Sequence, residues 1–463
     1  MIRVDATKSV RFCDGLSRRD FLHVGSLATF GLGLTGLRTL EAQSAELNKA
    51  KGRNAREMSC ILLFLVGGPS HLDTWDMKPD APEEIRGPFR PISTNVPGLQ
   101  ISEIFPRMSQ LMDRVSLVRS VEYNAAAVHD VGHQLMQTGR LFSGGIEHPH
   151  YGAVLSKLRG PKGEVPPYVL LPRPIGATGG NMPHGQNAGY LGKTYDPFVL
   201  NSDPNDRAFK VPDLLPPDYI TSVRESRRRS LRSAIDGAVA SFEHSSDARL
   251  LDANFEGAYR LMSSAGARES FDLSAEDDAL RDRYGRTRFG QSCLLARRMV
   301  ERGVRFVTIN MFETVFNEIT WDIHGSSPFS PIDCYQREVG PNFDNAFSTL
   351  LSDLEERGLL DSTMVIAFGE FGRTPKINPA GGRDHHPACS TALFAGGPFQ
   401  GGRVVGASDE IGHAPQDRPV TPAHVAATVF KGLGIDLETE LPGPQGRPLR
   451  IVDHGIEPIE ELF

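Results

Sequence analysis

The chain has only five cysteines in 463 residues, and they form no Cys-x-x-Cys and no close pair. That excludes a zinc-ribbon module and a disulfide framework. Cys60 opens an apolar run and reads as a small buried residue. No segment reaches eighteen apolar residues, so no stable membrane span is expected. There is no GxSxG, no HExxH and no Walker loop, and no GxGxxG follows a strand. A hydrolase elbow, a zincin and a phosphate-cradling loop are therefore unsupported. Basic excess is also missing: 50 Lys and Arg stand against 57 Asp and Glu, a formal charge of -7. Nucleic acid is a poor partner for such a surface. The one dense basic run, RRRSLR at 227–232, reads as a solvated helix face.

The N-terminus carries an address. Residues 17–22 read SRRDFL, a weakly apolar Gly-rich stretch follows, and small residues at 42–45 suit cleavage. This pattern predicts a twin-arginine signal peptide over residues 1–45 and an exported mature chain in the periplasm or cell envelope.

Beyond the signal, apolar runs alternate with helical segments. Strands are predicted at 60–66, 115–121, 168–171, 303–310 and 363–369, with a sixth at 393–397. Helices are predicted at 292–303, 338–357 and 422–433. The strands are continuous apolar runs rather than alternating ones. That predicts an α/β protein, a three-layer sandwich whose central sheet is mostly parallel. Residues 218–285 are polar and poor in strand formers, and read as an inserted helical segment. Ser274 with Asp277 predicts a capping box there. Residues 172–216, rich in proline and glycine, read as a long functional loop.

Sites in such sheets form at the carboxyl ends of strands. Polar clusters recur there: GGPSHLDTWD after the first strand, HDVGH at 129–133, WDIHG at 321–325, GEFGRTP at 369–375 and GGRDHHP at 381–387. Carboxylates mixed with imidazoles suit a divalent metal such as Zn, Mn or Ca. An arginine nearby, Arg373 or Arg383, suits an anionic substrate. Trp75 and Trp321 flank these clusters and read either as a sugar-stacking platform or as core.

The pieces RYGRTRFGQSCLLARRMVERGVRFVTI (283–309), AGYLGKTYDPF (188–198), WDIHG, GEFGRTP and GGRDHHP together resemble the exported family known as domain of unknown function 1501. The resemblance spans about 60–455, and the domain is placed at 58–460. It implies an alkaline phosphatase-like (sulfatase-like) fold with a metal site at the strand ends. It further implies Asp322 and His324 as middle ligands, Glu370 as the late-strand carboxylate and His385 or His386 as the last histidine. Sulfatases carry Cys-x-Pro-x-Arg followed by Thr-Gly-Arg nine residues after the cysteine. Here Thr138-Gly139-Arg140 is present, but the nucleophile position falls on His129 and the arginine position on His133. The first-strand Asp pair is replaced by Gly67-Gly68, leaving Asp73 as the nearest carboxylate ligand. Phe371 stands where a second late-strand ligand belongs.

Two functional readings follow. One is an exported, metal-dependent hydrolase of phosphate or sulfate esters acting on an anionic small molecule or carbohydrate. In it, Asp73, Asp322, His324, Glu370, His385 and His386 are candidate ligands. His129 or His133 serves as nucleophile or base, Arg373 clamps the anion, and Asp384 orients a histidine. The other is a non-catalytic envelope protein that kept the fold and only binds.

Overall fold

The computed structural model describes residues 57–207, 209–211, 224, 227–228, 230–231 and 264–463. The expected signal at 1–45 and most of the expected insertion at 218–285 lie outside the described residues.

Eight strands form one sheet: β1 (Ser59–Phe64), β2 (Val115–Val121), β3 (Tyr168–Leu171), β4 (Phe198–Val199), β5 (Phe306–Asn310), β6 (Thr363–Phe368), β7 (Ser390–Ala395) and β8 (Val404–Val405). Their spatial order is β8-β2-β7-β6-β1-β5-β3-β4. All adjacent pairs are parallel except those made by β7, which runs against both β2 and β6. Among the described residues five longer helices cover the sheet: α1 (His129–Thr138), α2 (Tyr151–Arg159), α3 (Arg288–Glu301), α4 (Gly340–Glu356) and α5 (Pro422–Gly432).

The central strand β1 is apolar from Cys60 onward because both of its faces are buried. Side chains alternate between faces of a strand. Ile61 and Leu63 join a core with α3 and α4, while Cys60, Leu62 and Phe64 join a second core with α1, α2 and α5. The sheet is thus the middle of three layers and neither face meets water.

The six expected strands form, 115–121 and 168–171 with the expected ends and the other four with shifted ones. The fourth begins only at Phe306, because the chain is still turning at Gly303, whose φ is 101°. The sixth starts three residues early, at Ser390, and is the antiparallel one. In the described part of the insertion, Ala265–Phe271 and Asp278–Tyr284 are helical. The cap of the second is Asp277, whose carboxylate accepts from the Leu280 N–H at 2.7 Å; Ser274 lies in a separate turn capped by Asp272. The sugar platform is overturned. Trp75 and Trp321 are buried in the core, where Trp75 stacks on Phe105 at 5.2 Å and Trp321 Nε1 donates to the Met311 sulfur. Among the described residues no helix is long and apolar enough to cross a membrane.

Candidate metal centre

Three central strands, β5, β1 and β6, run parallel, so their carboxyl ends open on one edge of the sheet. The chain after β6 places Glu370 there, and the loop after β5 brings Asp322 and His324 to the same edge. Beyond β2, helix α1 begins at His129 and sets His133 one turn later on the same face. A two-stranded ladder pairing Arg373 with His385 folds the last histidine over the group.

Two glycines allow this convergence. A Cβ at Gly67 (φ 109°) would lie 2.5 Å from the Asp322 nitrogen. At Gly132, inside α1, it would lie 2.7 Å from the Glu370 Cβ and 2.6 Å from the Tyr123 hydroxyl. Glycine within a helix costs about 1 kcal/mol relative to alanine, and here it lets the helix backbone press against Glu370.

Glu370 Oε1 accepts from the Gly67 N–H at 2.8 Å and lies 2.5 Å from His129 Nδ1 and 3.2 Å from His133 Nε2. On the far side of the His129 ring, Nε2 is 3.4 Å from Asp322 Oδ2. Asp322 Oδ1 takes Arg373 Nη2 at 2.5 Å and lies 3.1 Å from His324 Nε2 and 3.3 Å from His385 Nε2. Burial works against charge on both carboxylates but is outweighed. Arg373 and the imidazoles hold Asp322 well below the usual range, and His133 with His129 does so for Glu370. His129 is opposed by burial too, yet Asp322 and Glu370 raise it to about 9. His385 falls to about 4, through burial first and then the Arg373 and His129 charges, against the pull of Asp322. It is therefore neutral at pH 7.

The histidine tautomers decide what this arrangement can hold. His385 Nδ1 is 2.9 Å from the Ala127 carbonyl and His324 Nδ1 is 3.1 Å from Asp384 Oδ1. Each Nδ1 faces an acceptor, so in the neutral ring Nδ1 carries the proton and Nε2 keeps its lone pair. Those two Nε2 atoms are 2.9 Å apart and both face Asp322 Oδ1. Such a convergence of ring nitrogens on a carboxylate oxygen is an arrangement that could hold a cation. Glu370 Oε2, Asp322 Oδ2 and both nitrogens of His133 are also buried without a hydrogen-bond partner. Buried polar atoms are rarely left so, and nitrogen and oxygen donors of this mix fit a divalent ion.

The structure thus brings together His129, His133, Asp322, His324, Glu370 and His385, with Asp384 behind His324. Two other expected ligands do not reach the group. Asp73 is bound by Arg383 Nε at 2.7 Å and by the Ser70 hydroxyl at 2.5 Å. His386 points away, with Nε2 against the His413 carbonyl at 2.6 Å. The expected anion clamp is also corrected. Arg373 spends its donors on Asp322 and the carbonyls of Gly67, Gly68 and Arg383. Arg383 spends its own on Asp73 and the carbonyls of Thr374, Pro375 and Ile85. Both are fully buried.

Sequence reasoning missed Tyr123, whose hydroxyl donates to the Glu370 carbonyl at 3.0 Å. It also missed what Phe371 does. Its ring lies 4.4 Å from His385 and 5.1 Å from His129, so it is an apolar wall where a ligand was expected. Gly132, in the middle of a helical segment, is a signal that could have shown the close approach.

Among solved structures the chain is similar to a sulfatase from Pseudoalteromonas sp., at 12% identity over 86% of this chain and 72% of that one, with a TM-score of 0.37. A protein in the alkaline phosphatase superfamily from Vibrio parahaemolyticus is 12% identical over 82% and 67%, with a TM-score of 0.35. A phosphonate monoester hydrolase from Silicibacter pomeroyi is 13% identical over 85% and 75%, with a TM-score of 0.33. No curated protein matches. One family matches residues 57–463, the whole described region and beyond half of the chain, and to it this protein belongs: the family described as "Protein of unknown function (DUF1501)".

Proposed function

We propose that this protein is an exported, metal-dependent hydrolase of phosphate or sulfate esters, acting on an anionic small molecule or carbohydrate. The observation that carries the reading is the convergence of Asp322 Oδ1, His324 Nε2 and His385 Nε2 at the carboxyl edge of the sheet. A divalent ion held by these residues would act as a Lewis acid on an ester oxygen and would bind the anion that neither Arg373 nor Arg383 is free to take. Asp384, exposed at the rim, fixes the His324 tautomer by accepting from Nδ1. Ala127 does the same for His385. Phe371 keeps water from one side of the group, which strengthens every charge interaction inside it.

His129 does not act as the attacking group in this reading. Both its nitrogens face carboxylates, its side chain is 3% exposed, and without a metal its pKa near 9 leaves no free lone pair at pH 7. It serves instead as a ligand between Glu370 and Asp322, and water is the nucleophile. The twin-arginine pattern at 17–22 supports export of the chain to the periplasm or envelope.

A second reading, a binding protein of the envelope, is favoured by the two saturated arginines and the polar group's lack of a serine, threonine or cysteine among the described residues. One assay separates them. Protein loaded with Zn, Mn or Ca is offered p-nitrophenyl phosphate and p-nitrophenyl sulfate. The hydrolase reading expects turnover that disappears in Asp322→Asn. Turnover that survives in folded Asp322→Asn sinks the proposed centre, and no turnover at any metal loading supports the binding reading.

A further inference from the structure

The polar atoms around His129 fall into two sets, one on each ring nitrogen. On the Nδ1 side stand Glu370 Oε1 at 2.5 Å and, beside that oxygen, His133 Nε2 at 3.2 Å. On the Nε2 side stands Asp322, with His324 and His385 on its other oxygen. Each side completes a possible ligand group, His129–His133–Glu370 and His129–Asp322–His385, whose ligand atoms lie within 4.8 Å of one another.

The first group is not explained by a single ion beside Asp322. His133 is fully buried, and neither of its ring nitrogens makes a hydrogen bond. Glu370 Oε2 is likewise buried and unpartnered. Buried polar atoms are rarely left without a partner, and three such atoms here are potential ligands. His129 and His133 are four residues apart on α1 and so share one helix face, while the carboxylate arrives from a strand end. Two imidazoles and a carboxylate suit Zn(II), Fe(II) or Cu(II).

The geometry points to a second cation site at His129–His133–Glu370, with His129 bridging two ions as an imidazolate. This rests on the reading of the group as a metal centre. Forming the bridge removes both ring protons from His129, and they pass to solvent. Its two nitrogen lone pairs then go one to each ion. Glu370 and His133 complete one side; Asp322, His324 and His385 complete the other. Phe371, packed on both His129 and His385, closes the approach to the bridge.

The full chain is loaded with Zn(II) or Cu(II), freed of excess ion and analysed by elemental mass spectrometry. The copper form is also examined by electron paramagnetic resonance. Two equivalents are expected, with a magnetically coupled copper pair. His133→Gln and His324→Gln should each drop to one equivalent, and His133→Gln should show the spectrum of an isolated copper. Should a variant fail to fold by circular dichroism, wild-type stoichiometry and coupling decide alone. Two uncoupled ions overturn the bridge. One ion that persists in His133→Gln overturns the second site and leaves the proposed centre standing. No ion in the folded protein overturns both.

Discussion

Two aspartates are fully buried at the same edge of the sheet, Asp73 after β1 and Asp322 after β5. Around Asp73 every contact is a donor: Arg383 Nε at 2.7 Å, Arg383 Nη2 at 3.2 Å and the Ser70 hydroxyl. Around Asp322, Arg373 and His129 are joined by the Nε2 atoms of His324 and His385, whose Nδ1 atoms face other acceptors. The first carboxylate is satisfied by the fold. The second also faces ring nitrogens that could share a cation with it. Burial and an arginine partner are common to both, so neither marks a functional carboxylate. The balance of donors and acceptors does.

The largest test of that contrast is Arg383→Ala. It strands the Asp73 charge in a dry site, and losing one partner of a buried ion pair typically costs about 3–5 kcal/mol. Thermal or denaturant unfolding should show that loss, while metal content of the folded fraction stays as in the wild type. Next comes Gly132→Ala. Its methyl would press on Glu370 and Tyr123, and overpacking of this kind costs about 1–3 kcal/mol. Here metal binding should weaken together with stability, because the helix that carries His129 and His133 must shift.

Asp384→Ala should do the reverse of Arg383→Ala. The residue is exposed, so stability should move within about 0.5 kcal/mol. Losing the acceptor that orients His324 should weaken metal binding roughly 10–100-fold, as read by competition with a chelator. The last test concerns pH dependence. In protein stripped of metal, His129 is raised from 6.5 to about 9. The unfolded chain then gives up its proton first as pH rises, so this stabilisation is complete below about pH 6.5 and is lost as pH rises through about 9. The melting temperature of stripped wild type should fall across that window, and His129→Gln should flatten the fall.

Much of the architecture was legible, and for a clear reason. A strand buried on both faces is apolar at nearly every position, and 60–66, 168–171 and 364–368 are. The two-residue edge strands Phe198–Val199 and Val404–Val405 were not legible, since they bury too little to leave a pattern. In the site, residue types showed where the acceptors would gather, through WDIHG, GEF and DHH. Partners were another matter. Arg373 and Arg383 look alike in sequence, each following a glycine, and both look free to bind an anion. Only the folded chain shows that carbonyl oxygens of neighbouring loops take their donors. The same holds for Asp73 and His386, whose partners Arg383 and His413 come from other segments of the chain.

The central claim is that Asp322, His324 and His385 enclose a cation. Crystals of the full-length protein, grown with zinc and without chelator, would be measured on both sides of the zinc absorption edge. The account predicts an anomalous peak between Asp322 Oδ1 and the two Nε2 atoms. An ordered site with no peak there, or with zinc bound only elsewhere, would contradict it.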